Sequence, residues 1–140
     1  MFVEEENKEC CGKPALMDLR KETLSNQCFR KELWTGEHLQ LTVMSIPVGG
    51  EIGLEMHEDV DQLLVVESGC ALVYTGCSKR TLQLKGKVHY GCAILIPAGT
   101  WHNVLNAYAC PLKMYSVYAP PQHPVGTIHE TKLQSDTSEE

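Results

Sequence analysis

No segment of this 140-residue sequence stays apolar over anything near the ~20 residues that a membrane-spanning helix needs. The start, Met1-Phe2-Val3-Glu4-Glu5-Glu6, lacks the basic and apolar regions of a secretory signal, so the expected location is the cytoplasm. No C-x2-C pair occurs among the seven cysteines, an odd count that argues against a zinc ribbon or a redox dithiol. Most of them sit among apolar residues, as Cys92 does in Gly91-Cys92-Ala93-Ile94-Leu95-Ile96. There a reduced thiol behaves as a small hydrophobe and suits a reducing compartment. The adjacent Cys10 and Cys11 could take a stray metal or oxidise, but they match no site pattern. A basic stripe is missing too. The net charge of −6 comes from the two ends, because residues 10–129 hold ten acidic and ten basic side chains. Neither nucleic acid nor an anionic membrane is therefore an expected partner.

Helical patterning is scarce. Residues 15–24 could form a short helix or an edge strand, and nothing else reads as one. Short β patterns dominate from Phe29 to Tyr118. They include Leu39 to Ile46, Gln62 to Val66, Ala71 to Thr75, Ala93 to Ile96, His102 to Asn106 and Leu112 to Tyr118. Glu67-Ser68-Gly69 reads as a tight hairpin loop, and Lys85-Gly86-Lys87 as another, between Thr81–Leu84 and Val88–Tyr90. Turn signals at this density predict one all-β domain, a barrel or jelly roll, with a core large enough to fold without disulfides. The expected organisation is an N-terminal arm at 1–28, a barrel at 29–120 and a polar tail at 121–140. Met1 to Pro14 and Lys132 to Glu140 are expected to be solvated.

Two motifs carry the chemistry: Gly49-x5-Glu55-x-His57-x4-Gln62-x6-Gly69 and Gly91-x5-Pro97-x-Gly99-x2-His102-x3-Asn106. Glu55 and His57 are two residues apart and share a strand face, whereas His102 joins them only if distant strands fold together. Two imidazoles, a carboxylate and the amide oxygen of Gln62 would make a four-ligand site. One divalent ion of moderate hardness suits it, Mn, Fe, Ni, Co or Zn, with positions left open for water or substrate. A metal-free hydrogen-bonded cluster is the alternative, but burying four such polar groups by packing alone is costly. Asn106 shares the parity of His102 and either orients that ligand or caps a turn. Trp101 has the opposite parity and is expected at the rim or a subunit interface. His38, His123 and His129 read as exposed loop histidines, and His89 as hairpin surface.

The second motif resembles the cupin pattern G-x5-P-x-G-x2-H-x3-N at every defined position. The first resembles G-x5-H-x-H-x3,4-E-x6-G, with Glu55 where a histidine is usual and Gln62 where a glutamate is usual. The exchange keeps one negative charge and moves it to another corner of the site. The resemblance implies a single-domain cupin, the double-stranded β-helix or jelly-roll barrel. The run Leu33-Trp34-Thr35-Gly36-Glu37-His38 and the close Tyr118-Ala119-Pro120-Pro121 resemble small bacterial cupins labelled mannose-6-phosphate isomerase-like. That label rests on fold and motif and supplies no activity. The resemblance further implies a homodimer that covers apolar outer strand faces.

Three functions are compatible with these residues. The first is a metal-dependent enzyme of isomerase or dioxygenase type acting on a small polar metabolite such as a sugar or organic acid. The second is a metal-dependent module that binds or senses a small molecule, and the third a structural barrel with a vestigial site. An isomerase needs an acid or base beside the ion. The motif strands supply none, leaving Glu32, His38, Tyr74, Tyr115 or Tyr118 from elsewhere.

Overall fold

The computed structural model describes residues 12–138; the remaining terminal residues, Cys10 and Cys11 among them, lie outside it. In chain order the elements are α1 (Leu19–Ser25), β1 (Arg30–Thr35), β2 (Gln40–Ile46), β3 (Asp61–Ser68), β4 (Ala71–Gly76) and β5 (Gln83–Val88). They are followed by β6 (Ala93–Ile96), β7 (Trp101–Leu105), β8 (Leu112–Ala119), β9 (Ile128–His129) and α2 (Lys132–Ser138). The strands form an antiparallel jelly roll. One sheet runs β6-β3-β8-β2-β1-β9 and the other β5-β4-β7, the second extended by isolated bridges from Glu51 to Leu105 and from Glu55 to His102. Among the described residues no helix is long and apolar enough to cross a membrane.

Strand register sorts the interior into two halves. Across the large sheet, Ile96, Gln62, Tyr118, Gln40 and Thr35 pair in one row, and Leu64, Ser116 and Thr42 in the next. Farther along, Val66, Met114 and Met44 pair, then Leu112 and Ile46. All of these point inward by the two-residue period. One half of the barrel is thus a dry apolar core, which Val73, Val104, Ile52 and Phe29 complete, and the other is buried and polar.

Two local readings change in the folded chain, and one left open is decided. Glu67-Ser68-Gly69 is not a hairpin, because β3 and β4 belong to different sheets. Gly69 carries the chain between them at φ +93°, where a Cβ would come 2.6 Å from the Pro111 carbonyl oxygen. Lys85-Gly86-Lys87 is not a turn either. β5 runs through it, pairing Gly86 with Val73 and Leu84 with Tyr74, so that the glycine marks a β-bulge. Of the two readings open for residues 15–24 the helix is the one that forms, α1 from Leu19, because the Asp18 carboxylate accepts from the Lys21 amide at 3.1 Å and caps it. α1 lies against β2, β3 and β8.

The ends are more ordered than their composition suggests. Gly12 donates to the Thr35 carbonyl at 2.9 Å, and Trp34 Nε1 donates to the Lys13 carbonyl at 2.8 Å. Residues 121–140, expected as a polar tail, contribute β9, which pairs with β1, and α2, whose buried Ser135 accepts from the Arg30 guanidinium at 2.6 Å. His123, expected on the surface, is buried. Gln40 draws it in, since its Oε1 accepts from the amides of Gln122 and His123 while its Nε2 donates to the His123 carbonyl and Thr35 Oγ1. The His123 ring stands edge-on to Tyr118 at 5.0 Å. Burial, helped by the Arg30 guanidinium, pushes its imidazole down from 6.5 to about 3.

Two predictions follow from this packing. Gly69→Ala should lower stability by more than about 2 kcal/mol in urea denaturation, combining left-handed strain with the Pro111 clash. Gly91→Ala, at φ +88° with open space around it, should cost only about 1–2 kcal/mol. For His123 the native state stays neutral while the unfolded state protonates. Stability is therefore lost as pH falls below about 6.5, at about 1.4 kcal/mol per unit, until about pH 3. Between pH 7 and 5 the native protein should lose about 2 kcal/mol more than His123→Leu. Equal losses in the two proteins would refute a neutral buried His123.

Candidate metal centre

The polar half of the barrel is assembled by backbone pairing between the two motifs. Glu55 donates to the His102 carbonyl at 3.0 Å, and His102 donates back to the Glu55 carbonyl at 2.9 Å. The Pro97-Ala98-Gly99 turn is clamped onto the first motif, since Gly99 donates to the His57 carbonyl at 2.8 Å and Ala98 to Asp61 Oδ1 at 2.8 Å. Glu55 and His57 thus sit on an extended but irregular segment beside β7, rather than on a regular strand.

These contacts bring three donors together. Glu55 Oε2 lies 3.3 Å from His102 Nε2 and 3.6 Å from His57 Nε2, and one ligand atom from each residue falls within 4.8 Å of the others. Two atoms each bonded at about 2.1 Å to one ion, at tetrahedral or octahedral angles, stand about 3.0–3.4 Å apart. The observed spacings are close to that. All three atoms are buried without a hydrogen-bond partner, a cost that a shared cation removes. The His102 tautomer fits as well: its Nδ1 lies 3.0 Å from the Thr100 carbonyl, an acceptor only, so Nδ1 carries the proton and Nε2 presents a lone pair. Burial works to raise the Glu55 carboxyl, but the His102 and His57 imidazoles beside it outweigh burial and hold the group well below the usual carboxylate range.

Gln62 lies on β3 in the adjoining wall. Its Nε2 donates to Ser116 Oγ at 3.0 Å, and its Oε1 is buried with no hydrogen-bond partner. That is the orientation an amide needs to offer oxygen to a cation. The residues present fit a divalent ion.

Of the remaining candidates, Asn106 is a turn cap. Its amide donates to the carbonyls of Ile46, Pro47 and Cys110, and its oxygen accepts from the Tyr108 amide. Trp101 faces away from the interior beneath the Lys79 ammonium, 5.6 Å from its ring centroid. His38 and His89 are exposed and His129 is half-buried in β9. Glu32 is engaged by Thr35 and the Gly126 amide, and Tyr74 and Tyr115 face outward by strand parity. Tyr118 does reach the site, edge-on to His57 with ring centroids 6.0 Å apart. Burial raises its phenol above the ordinary value, so it stays protonated at neutral pH. Ser116 and Thr42, beside it in register, carry no motif signal, although the alternation of β8 would have placed Ser116 inward with Tyr118.

Comparison with known proteins agrees with this architecture. The cupin domain family model, Cupin_2, matches residues 42–118. The chain is 48% identical over 133 residues to the uncharacterized protein YrkC of Bacillus subtilis (strain 168), covering 95% of this chain and 72% of that protein. It is 39% identical over 124 residues to the uncharacterized protein L612 of Acanthamoeba polyphaga mimivirus, covering 88% and 76%. The crystal structure of BH2720 from Bacillus halodurans matches with a TM-score of 0.88 at 48% identity, over 97% of this chain and 99% of that one. With two motifs converging inside a jelly roll and relatives of this similarity, the chain belongs to the cupin family.

Proposed function

We propose that this cupin is a divalent-metal enzyme of isomerase or dioxygenase type, acting on a small polar metabolite such as a sugar or organic acid. The observation that carries the reading is the convergence of Glu55 Oε2, His57 Nε2 and His102 Nε2 in a buried wall. Gln62 Oε1 is assigned as the fourth ligand, held in orientation by Ser116. Mn, Fe, Ni, Co or Zn in this set would act as a Lewis acid or bind dioxygen. The chain's own groups do the positioning. Thr100 fixes the His102 tautomer, and the protonated Tyr118 beside His57 offers a hydrogen bond to bound substrate.

One observation favours a second reading, a non-catalytic module that binds or senses a small molecule. Of the five acid or base candidates, Tyr118 is the one that reaches the site, and its raised phenol is a poor base. Two features bear on the surroundings. The described cysteines Cys28, Cys70, Cys77, Cys92 and Cys110 are unbridged, which supports a cytoplasmic, reducing location. Leu41, Val117, Leu63 and Leu95 form one apolar row across the outer face of the large sheet, with Leu95 74% exposed, which supports a homodimer. Light scattering should give the mass of two chains, reduced in Leu95→Glu.

Elemental analysis of untagged protein purified without chelator tests the metal. The expected result is about one ion per chain, lost in His57→Ala and in His102→Ala while circular dichroism shows the barrel intact. Full stoichiometric metal in both variants would refute the ligand assignment.

A further inference from the structure

β5 and β6 are edge strands of different sheets, and the seam between them is not closed. A cleft of about 500 Å³ opens there, lined by Val73, Thr75, Val88, Ile94, Ile96 and Thr100, with Lys85 on its wall. That volume lies within the range of small-molecule sites, about 300–1,000 Å³. Val73, Ile94 and Ile96 form its floor and are only 3, 6 and 4% exposed. Its inner end adjoins the proposed metal centre, because Thr75 is the cross-strand partner of His102 and Ile96 that of Gln62. Side chains so paired on one face stand about 5 Å apart.

The walls define the ligand's chemistry. They are mostly aliphatic, with two threonines near the metal-binding end. The charged residues among them are both lysines, Lys85 and Lys87, and no acid is present. Lys87 is occupied, its ammonium lying 4.7 Å over the Tyr108 ring. Lys85, at the bulge, is the cation left for a ligand, and one lysine balances one negative charge. A monoanion with an apolar body fits such a passage better than a phosphate dianion or a neutral sugar, whose hydroxyls would lie against Val73, Val88 and Ile94 unpaired.

We infer that the β5–β6 cleft is the substrate site of the metal centre, and that it takes a small carboxylic acid. The carboxylate sits at Lys85, and the apolar body extends along Val88, Val73 and Ile94 toward Thr75 and His102. This rests on the metal reading for the chemistry at the inner end, but not for the cleft or its selectivity.

The test is a titration of butanoate, octanoate and 4-phenylbutanoate, each beside its corresponding alcohol, followed by ligand-observed NMR on zinc-loaded and chelator-treated protein. Val88→Trp fills the cleft from β5 without touching a proposed ligand, and Lys85→Glu reverses the charge at an exposed position. At least one acid should bind about ten-fold or more tightly than its alcohol. Binding should be lost in Val88→Trp, and in Lys85→Glu the acid should weaken about ten-fold or more with the alcohol unchanged. Equal affinity for acid and alcohol, an unaffected Lys85→Glu, or no binding by any of the three acids would overturn the inference. Should Val88→Trp fail to fold, Lys85→Glu still decides. Zinc retained at one per chain without acid binding would refute the cleft alone. Acid binding lost in Lys85→Glu by a protein that takes up no metal would refute the metal reading alone.

Discussion

The reciprocal backbone pair between Glu55 and His102 is the constraint on which the site depends. It joins two motifs from different parts of the chain at one residue from each, and in doing so sets the carboxylate and the imidazole side by side. The clamps from Gly99 to His57 and from Ala98 to Asp61 extend this bridge, so that Gly99 of the second motif holds the backbone of the histidine of the first. A hydrogen bond contributes about 1 kcal/mol net, and several acting on one short segment fix donor atoms more firmly than any one could.

The divided interior explains how a small barrel tolerates so polar a cavity. Met44, Ile46, Val66, Leu112 and Met114 bury one half of the barrel, and that apolar surface supplies the main driving force for folding. The other half is expensive to bury, and most of its groups are satisfied locally. Gln40 uses both amide hydrogens and its oxygen, and Gln62 donates one amide hydrogen to Ser116. Among the acceptors left over are Glu55 Oε2, His57 Nε2, Gln62 Oε1 and His102 Nε2, four atoms from the two motifs, with Thr42 Oγ1 and the Tyr118 hydroxyl in the same half of the barrel. Unpaired polarity concentrated there is the signature of a site that a cation completes.

The seam geometry and the C-terminal segment are complementary. On one side of the barrel, β9 extends the large sheet past β1, and α2 packs there with Ser135 against Arg30. On the other side β5 and β6 are left apart, and Lys85, Val88 and Thr75 line the cleft between them.

Motif spacing and strand alternation in the sequence were enough to set the jelly-roll class, and the spacing singled out Glu55, His57 and His102, although Glu55 and His57 meet His102 from an irregular segment rather than a regular strand. The same local logic failed where the partner strand decides. Gly69 joins two sheets instead of closing a hairpin, and Gly86 makes a bulge instead of a turn, since a glycine permits a conformation without specifying what lies across from it. Composition likewise misjudged residues 121–138, whose polar side chains are ordered by contacts far away in sequence: Ser135 with Arg30 and His123 with Gln40, 105 and 83 residues apart. The sequence alone settled which residues face inward, through the two-residue period. The tertiary structure alone settled which strands meet, which seam stays open and which histidine is buried, because those outcomes depend on long-range hydrogen bonds and packing that no local pattern encodes.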